Sequence, residues 1–380
     1  MKTMILLLVL ALLIPVPISQ AQPTPVECPL PPYQLPLQAP ERTVIDEAGQ
    51  LFVDGAETPL DLDGLTPTEI LWSDDGEILL IQANSPDFES HVFAYRDGEL
   101  TGVIGGETLS GMRTEEFRDA VKIFNPVFIP GTHIVLFNTE VLSDAEGVDV
   151  EMPLDLWSLD VDSGELTGIL PYGEAGEIHV APDGSTIVLV GYDFIRQMDT
   201  DGGNPRTLFE GDVAVGAGHG AFYPDLVWDN DADIPTFRVL LNTGGIDGVM
   251  GTSFEVREFV LDEQATNSVI LSGPVTNFPV AHLSPDGYKV ASWSWQGDGS
   301  SSTPFFDVTV YQSDAEPLVI DSFEITNRGG SAFVRWNDET HLTYGHIDEG
   351  NTVTAKRADL CGEITELEPY QASMAEVLSR

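Results

Sequence analysis

Three aspartates at alternating positions are the clearest candidate for metal chemistry in the sequence. Asp229, Asp231 and Asp233 offer hard oxygen ligands at the spacing that opens a calcium-binding loop. The longer EF-hand pattern then fails, because Ile234 stands where the glycine belongs and Leu240 where the bidentate glutamate belongs. The same aspartates suit a plain turn. We therefore predict no resident cofactor, with Ca²⁺ at these three positions as the alternative.

Other catalytic patterns are missing from the sequence. It contains no Gly-x-Ser-x-Gly nucleophile elbow and no phosphate-binding loop that ends in Lys followed by Ser or Thr. The seven histidines lack the His-x-x-x-His and Glu-x-x-His spacings of zinc sites. Among 62 acidic residues, carboxylate pairs at glycosidase separations arise by chance. No catalytic residue is nominated, and the residues favour a non-enzymatic protein.

The formal net charge of −46 limits the classes of partner. Acidic residues are spread along the whole chain, and a field of this sign repels nucleic acid and anionic lipid. We therefore expect no nucleic-acid partner. Such a high content of acidic residues is typical of highly soluble proteins and of proteins from salty or acidic habitats. It would also attract cations or a basic partner.

The N-terminal residues resemble a secretory signal peptide. Lys2 is followed by an apolar run from Met4 to Leu13, and Ser19-Gln20-Ala21 supplies the small residues that a signal peptidase requires. The apolar run is too short for a permanent membrane anchor. We expect residues 1–21 to be removed and the mature chain to be extracytoplasmic (secreted, periplasmic or cell-surface), monomeric and without a membrane span.

A proline-rich stretch over residues 22–42 predicts an extended arm, since proline removes backbone donors and fixes φ. The arm contains Cys28, and the second of the two cysteines is Cys361. Export to an oxidising compartment favours a disulfide between them. The alternative is two free or buried thiols.

A unit of apolar strand, tight polar turn and apolar strand occurs six times between residues 43 and 367. The clearest turns are Ser73 to Gly76, Ala181 to Gly184 and Ser284 to Gly287. Aspartate bonds its own backbone in such turns, and glycine accepts the positive φ that reverses the chain. Weaker copies have turns around Pro130 to Thr132, Asp229 to Pro235 and Asn337 to Glu339.

Successive copies begin roughly 48 to 57 residues apart, which suits a four-stranded antiparallel blade. Blades stacked around a ring bury both faces of each sheet. We therefore predict an all-β fold, a six-bladed β-propeller over residues 43–367, with five or seven blades as alternatives. A C-terminal tail covers residues 368–380. The last copy offers three strands, and the segment Val44 to Val53 is a candidate for its fourth.

Two segments carry a family resemblance. Ser284 to Ser292 and Met198 to Leu208 are similar to the repeats of TolB-type propellers, also called WD40-like or PD40 propellers. The likeness extends over most of Ile70 to Leu367 and is strongest in the first, third and fifth copies. It implies a six-bladed propeller. Some PD40-like propellers are polysaccharide lyases with channel histidines and a metal, and this chain carries no lyase motif.

In a propeller the second-to-third loops and the connections between blades share one rim, and here these are the long, irregular segments. Binding residues favour loops that a rigid scaffold displays. We predict the binding site on this long-loop face, at six residues: Arg113, Arg118, His219, Asp247, Trp295 and Arg328.

The leading hypothesis is an exported, non-enzymatic scaffold that binds a protein, peptide or glycan through the long-loop face. One alternative is an extracellular carbohydrate-active enzyme, a lyase or glycoside hydrolase, that acts at the channel mouth. The other is a structural protein of the cell envelope.

Overall fold

The structure is a computed structural model. It describes residues 28, 30, 42–46, 49–86, 89–112, 121–141, 154–213, 215–217, 220–222, 224–243, 253–274, 280–296, 305–313, 315–324, 331–348 and 350–371. In these residues the strands form five four-stranded sheets, one five-stranded sheet and two two-stranded sheets, and every pairing is antiparallel.

A hairpin and three large sheets occupy the first part of the chain. The hairpin consists of β1 (Thr43–Ile45) and β2 (Leu51–Val53). The first large sheet contains β3 (Thr66–Trp72), β4 (Leu79–Asn84), β5 (Ser90–Arg96) and β6 (Glu99–Ile104). A short helix, α1 (Gly106–Gly111), leads to the second sheet, which contains β7 (Val121–Phe128), β8 (Ile134–Val141), β9 (Leu154–Asp160) and β10 (Glu165–Ala175). The third contains β11 (Glu177–Val180), β12 (Thr186–Val190), β13 (Phe194–Asp199) and β14 (Arg206–Glu210).

A second hairpin and three further sheets follow. The hairpin consists of β15 (Val215–Ala217) and β16 (Gly220–Phe222). The fourth large sheet contains β17 (Leu226–Trp228), β18 (Thr236–Thr243), β19 (Ser253–Val260) and β20 (Thr266–Pro274). The fifth contains β21 (Val280–Leu283), β22 (Lys289–Gln296), β23 (Phe305–Gln312) and β24 (Leu318–Glu324). The sixth contains β25 (Ser331–Trp336), β26 (His341–Ile347), β27 (Thr352–Asp359), β28 (Ile364–Glu366) and β29 (Tyr370–Gln371).

Within each large sheet the first four strands pair in chain order. A four-stranded antiparallel meander repeated along the chain is the blade of a β-propeller. The chain is a β-propeller. The predicted all-β propeller of four-stranded antiparallel blades is thus confirmed, and each of the six predicted turns lies between the first and second strands of a large sheet.

Five hydrophobic clusters hold successive sheets face to face. Side chains alternate along each strand, so a second strand packs against the preceding sheet with one set of residues and the following sheet with the other. The clusters contain, in chain order, Leu80 with Phe137, Leu136 with Ile187, Val190 with Phe237, Leu240 with Val290, and Val310 with Tyr344. Each of these side chains is at least 98% buried. The sheets therefore share one continuous series of interfaces.

The first-to-second-strand turns owe their regularity to local hydrogen bonds. In the fifth sheet, Ser284 Oγ donates to Asp286 Oδ1 at 2.5 Å and accepts from the Lys289 N–H at 3.0 Å. Gly287 has a φ of 73°, the left-handed region that glycine tolerates. In the first sheet, Ser73 and Asp75 repeat this arrangement, with Ser73 Oγ donating to Asp75 Oδ1 at 2.6 Å. The sequence repeat is therefore a repeat of turn chemistry.

The prediction that a segment near the N-terminus supplies the fourth strand of the last sheet is wrong. The segment Val44 to Val53 contains the hairpin β1–β2, which forms its own two-stranded sheet. Leu51 and Val53 of that hairpin pack on Leu79 and Ile81, on the face of the first sheet that points away from the second. The fourth strand of the last sheet is β28, which pairs with β27. β29, in the segment predicted as the tail, also pairs with β27.

The predicted cysteine pairing is confirmed. Cys28 and Cys361 form a disulfide, with their Cα atoms 5.9 Å apart and a separation of 333 positions in the sequence. Leu30 packs against the cluster between the fifth and sixth sheets. The bridge therefore fastens Cys28, which precedes the first strand, to the last sheet. Within the described residues, no helix has the length and apolar character needed to span a bilayer.

A partly buried carboxylate joins the fifth and sixth sheets. Asp321 on β24 accepts hydrogen bonds from Tyr344 Oη and from Lys356 Nζ, each at 2.8 Å. Burial alone would raise the pKa of Asp321, but these two donors outweigh it and hold the pKa below its usual value. Burial, together with the neighbouring Asp321, raises the pKa of Tyr344.

We expect Asp321→Asn to lower the free energy of unfolding by about 2 kcal/mol at neutral pH, since hydrogen bonds to charged groups contribute roughly that much. A carboxyl whose folded pKa is lowered stabilises the protein above its unfolded pKa, and this contribution is lost as pH falls through the folded pKa. The difference between variant and wild type should therefore shrink below about pH 4. Urea unfolding at a series of pH values measures it. Glu263→Gln, at an exposed turn residue, is the control, and an Asp321→Asn effect independent of pH would contradict the assignment.

Candidate functional site

Most of the predicted binding residues lie outside the part of the chain that the structure describes. These are Arg113, Arg118, His219, Asp247 and Arg328. Trp295 lies in β22, where it is paired with Phe306 of β23. The binding role of all six residues therefore stays a prediction.

The face predicted to bind carries additional elements. Because neighbouring strands are antiparallel, the second-to-third loops and the connections between sheets leave from the same rim. Helix α1 lies in the connection between the first and second sheets, and the hairpin β15–β16 lies in the connection between the third and fourth. In the described residues, no first-to-second-strand or third-to-fourth-strand connection contains a helix or a hairpin.

The three aspartates proposed as calcium ligands lie in the first turn of the fourth sheet. Asp229 Oδ2 accepts from Arg238 Nη2 at 2.7 Å, and Asp229 Oδ1 accepts from the Asp231 N–H at 3.1 Å. Asp231 and Asp233 are exposed. Both carboxylate oxygens of Asp229 are thus engaged in a turn and an ion pair, and calcium binding there stays a prediction.

Arg238 is the centre of a buried polar network between the fourth and fifth sheets. Its side chain is only 3% exposed. Its guanidinium donates to Asp229, to Glu258 Oε2 at 2.8 Å, to Tyr288 Oη at 2.6 Å and to the Asp286 carbonyl at 3.1 Å. The same group lies 3.9 Å from the centre of the Tyr288 ring. The network therefore connects the fourth sheet to the fifth through hydrogen bonds to Asp286 and Tyr288.

A pair of polar side chains connects the fourth and fifth sheets: Asp225 immediately precedes β17, and His282 lies in β21. His282 Nδ1 is 3.2 Å from Asp225 Oδ2, and the Leu283 N–H donates to the same oxygen at 2.9 Å. Trp336 Nε1 donates to the His282 carbonyl at 2.9 Å. Asp225 and His282 are each more than one-third exposed. Imidazole and carboxylate at this distance can exchange a proton with a bound molecule.

A cluster that sequence reasoning missed lies on the opposite rim, at the boundary of the first two sheets. His133 Nδ1 is 2.9 Å from Asp162 Oδ2, and His133 Nε2 is 3.2 Å from Asp75 Oδ2 and 4.0 Å from Glu77 Oε2. Arg96 Nη2 lies 2.7 Å from Asp162 Oδ1 and 3.0 Å from His133 Nδ1. Four of the side chains come from three turns, and Arg96 is the last residue of β5. We call these five residues the rim cluster.

The pKa values of the rim cluster follow from these contacts. The hydrogen bond to Asp162 raises the pKa of His133, and that to Asp75 adds to it. Hydrogen bonds from Ser73 and from the Glu77 N–H lower the pKa of Asp75 to about 2. Hydrogen bonds from His133 and Arg96 lower the pKa of Asp162. Both aspartates are therefore anionic at neutral pH.

The cluster was missed because its members are far apart in the sequence. Asp75 and His133 are separated by 58 positions, which no zinc-spacing pattern covers. The repeat could have indicated their proximity, since both residues lie in first-to-second-strand turns of consecutive copies. Turns at equivalent positions of neighbouring blades lie side by side.

A cleft of about 350 Å³ adjoins the rim cluster. Arg42 lies over the Trp72 ring at 3.5 Å from its centre and pairs with Asp54 at 2.9 Å. The other walls include Tyr95 and Arg96. The cleft therefore contains two arginines and two aromatic rings within an otherwise acidic protein.

Comparisons with known proteins bear on the fold alone. No protein-family profile matches the sequence, and no curated protein matches it. Among solved structures, a prolyl endopeptidase has 12% identity and a TM-score of 0.49 over 87% of this chain and 46% of its own. TolB from Acinetobacter baumannii has 13% identity and a TM-score of 0.38 over 82% and 66%. The β-propeller domain of the Trilobed protease from Pyrococcus furiosus has 12% identity and a TM-score of 0.43 over 81% and 84%.

This chain spans less than half of the endopeptidase chain and just under two thirds of the TolB chain. The assignment of a propeller rests on the sheets described above.

Proposed function

We propose that the protein is an exported six-bladed propeller of the TolB-like, PD40 type, and that it serves as a non-enzymatic binding scaffold. Its partner is a protein, peptide or glycan, bound through the long-loop face. The observation that carries the proposal is the difference in connection length between the two rims.

The longest connections within the sheets all leave from the long-loop rim. Residues 142–153, 244–252 and 297–304 link second to third strands in the second, fourth and fifth sheets, which makes connections of 12, 9 and 8 residues. On the opposite rim no first-to-second or third-to-fourth connection of the six large sheets exceeds 7 residues, the length of 229–235. Long loops on a rigid scaffold are the usual place for recognition.

The count of six blades is supported by the six large sheets and by the five clusters that join them in chain order. We treat the hairpin β1–β2 as a cap on the first blade, because it has two strands where a blade has four. The Pro-Asp-Gly turns at Asp183 and Asp286 occupy the place between first and second strands that the PD40 resemblance implies.

Export is supported by the signal-like residues before Gln22 and by the disulfide, since disulfides persist in oxidising compartments. The net charge of −46 favours a partner with a basic contact surface, because charge complementarity raises the rate of encounter.

Loop variants test the proposal directly. The chain is expressed with its own N-terminus in a secreting host, and the mature product is expected to begin at Gln22. It is then screened on peptide and polysaccharide arrays. Replacing 142–153 or 244–252 by a four-residue Gly-Ser linker is expected to weaken binding of the retained probe at least about tenfold, as loss of interface residues does.

The matched control places the same linker at 200–205, on the short-turn rim, and should bind as the wild type does. Retention of no probe, or equal losses in loop and control variants, counts against the proposal. New reducing ends or unsaturated products from the polysaccharides would instead support an enzyme, with Asp225 and His282 as the first residues to substitute.

A further inference from the structure

Three side chains of the rim cluster are arranged as metal ligands. Asp75 and Glu77 lie in the first turn of the first sheet, and His133 lies in the first turn of the second sheet. One donor atom of each lies within 4.8 Å of one donor atom of the others. In the described residues no other group of three or more histidine, cysteine or acidic side chains meets this condition.

The distances fit a tetrahedral cation of the zinc class. Zinc binds nitrogen and oxygen ligands at about 2.0 to 2.2 Å, so neighbouring ligand atoms of a tetrahedron lie about 3.3 to 3.6 Å apart. His133 Nε2 and Asp75 Oδ2 are already 3.2 Å apart. Glu77 Oε2, at 4.0 Å from His133 Nε2, belongs to a side chain that is 66% exposed and free to move the remaining distance.

The surrounding contacts orient the ligands. Asp162 Oδ2 lies 2.9 Å from His133 Nδ1, and a carboxylate on the far nitrogen of a ligating histidine fixes the ring and increases its basicity. Asp75 Oδ1 is held by Ser73 Oγ and by the Glu77 N–H at 2.9 Å, which leaves Asp75 Oδ2 turned to His133. The positive charge of Arg96 is balanced by Asp162, to which it is paired at 2.7 Å.

We infer that Asp75, Glu77 and His133 bind a divalent transition-metal cation, with Zn²⁺ as the reference ion and water in the fourth position. The cation replaces any proton held between His133 Nε2 and Asp75 Oδ2, and that proton leaves to solvent. An imidazole ligand selects against Mg²⁺ and Ca²⁺, which prefer oxygen ligands. The site lies on the short-turn rim and is independent of the binding face proposed above.

Because the ligands come from two sheets, the cation clamps the first blade to the second. A ligand that binds only the folded state raises its stability with concentration. Zinc should therefore raise the melting temperature, and the unfolding transition reports on the site without an assay of function.

The test uses the full disulfide-bonded protein, treated with EDTA and then dialysed. Calorimetric titration near neutral pH is expected to show one zinc ion per chain, and thermal unfolding should shift upward with Zn²⁺ but not with Ca²⁺. His133→Gln and Glu77→Gln should each weaken zinc binding by at least about tenfold, since even outer contacts contribute that much.

His341→Gln is the matched control. His341 also lies beside an aspartate at the first-to-second-strand turn of a blade, with Nδ1 3.0 Å from Asp338 Oδ2, and this variant should bind zinc as the wild type does. Glu77→Gln keeps the test valid if His133→Gln does not fold, because Glu77 is mostly exposed. The proposal is overturned if zinc does not bind at one per chain, or if Glu77→Gln and His341→Gln bind it equally.

Discussion

Replacing Cys28 and Cys361 together by serine is expected to lower the free energy of unfolding by about 5 kcal/mol. The bridge joins residues 333 positions apart. Tying such distant points restricts the unfolded chain, and the chain-entropy relation gives about 5 to 6 kcal/mol for a loop of this length. The figure is an upper one, since unfolded chains retain structure. The folded state loses little else, because Cys28 is exposed.

Urea unfolding followed by tryptophan fluorescence measures this effect. The wild-type protein unfolded with and without a reducing agent is the internal control, since the reduced wild type and the double-serine variant should unfold at nearly the same urea concentration. A loss below about 1 kcal/mol in the variant would contradict the prediction, because the bridge would then restrict the unfolded chain far less than its loop length implies.

Arg238→Met is expected to lower the free energy of unfolding by about 3 to 5 kcal/mol, the range found when one partner of a buried ion pair is removed. Methionine keeps the apolar stem but leaves Asp229 and Glu258 without their shared cation. Arg238 is 3% exposed, whereas those two carboxylates are 25% and 18% exposed. The contacts to the Asp286 carbonyl and to Tyr288, which join the fourth sheet to the fifth, are lost in the same step.

Arg257→Met is the matched control for this prediction. Arg257 pairs with Glu255 at 2.8 Å within one strand, and the two side chains are 24% and 29% exposed. Arg257 is much more accessible to solvent than Arg238 and its ion pair lies within one sheet, so we expect its loss to cost less than that of Arg238. Equal effects of the two substitutions would mean that the buried network does not hold the sheets together.

The blades could be predicted because their turns are local. In the fifth sheet the hydrogen bonds made by the side chains of Ser284 and Asp286 all close within five residues. A pattern of that length is visible in the sequence, and it recurs wherever a first strand turns into a second. The weaker turn at Asp229 could still be placed, since it lies between two apolar segments that resemble the other copies.

Pairings between distant segments were not predictable in the same way. Val44 to Val53 and Ile364 to Glu366 both contain short strands of three residues near the ends of the propeller, and their composition does not reveal which segment completes the last sheet. The burial of the two segments also differs in a way that their sequences do not indicate. All three residues of β28 are exposed, whereas Leu51 and Val53 of β2 are buried on the first sheet.

The candidate sites also differ in whether they depend on contacts between distant segments. The disulfide was predictable because two cysteines allow one pairing within the chain. The rim cluster was not, because His133 meets Asp75 only through the packing of two blades. Long-loop residues such as Arg113 were chosen for their place in the repeat, and their role depends on contacts that the repeat does not specify.

The bridge between Cys28 and Cys361 also sets how the molecule carries mechanical load. A force that pulls the residues before Cys28 away from those after Cys361 passes through the two sulfur atoms. Once β28 and β29, which follow Cys361, have been pulled off β27, the blades between the two cysteines form a closed side loop that carries no tension. An atomic-force experiment that stretches the oxidised chain by its two ends would therefore detach these two strands and extend the terminal segments, and the same pull after reduction would unravel the propeller.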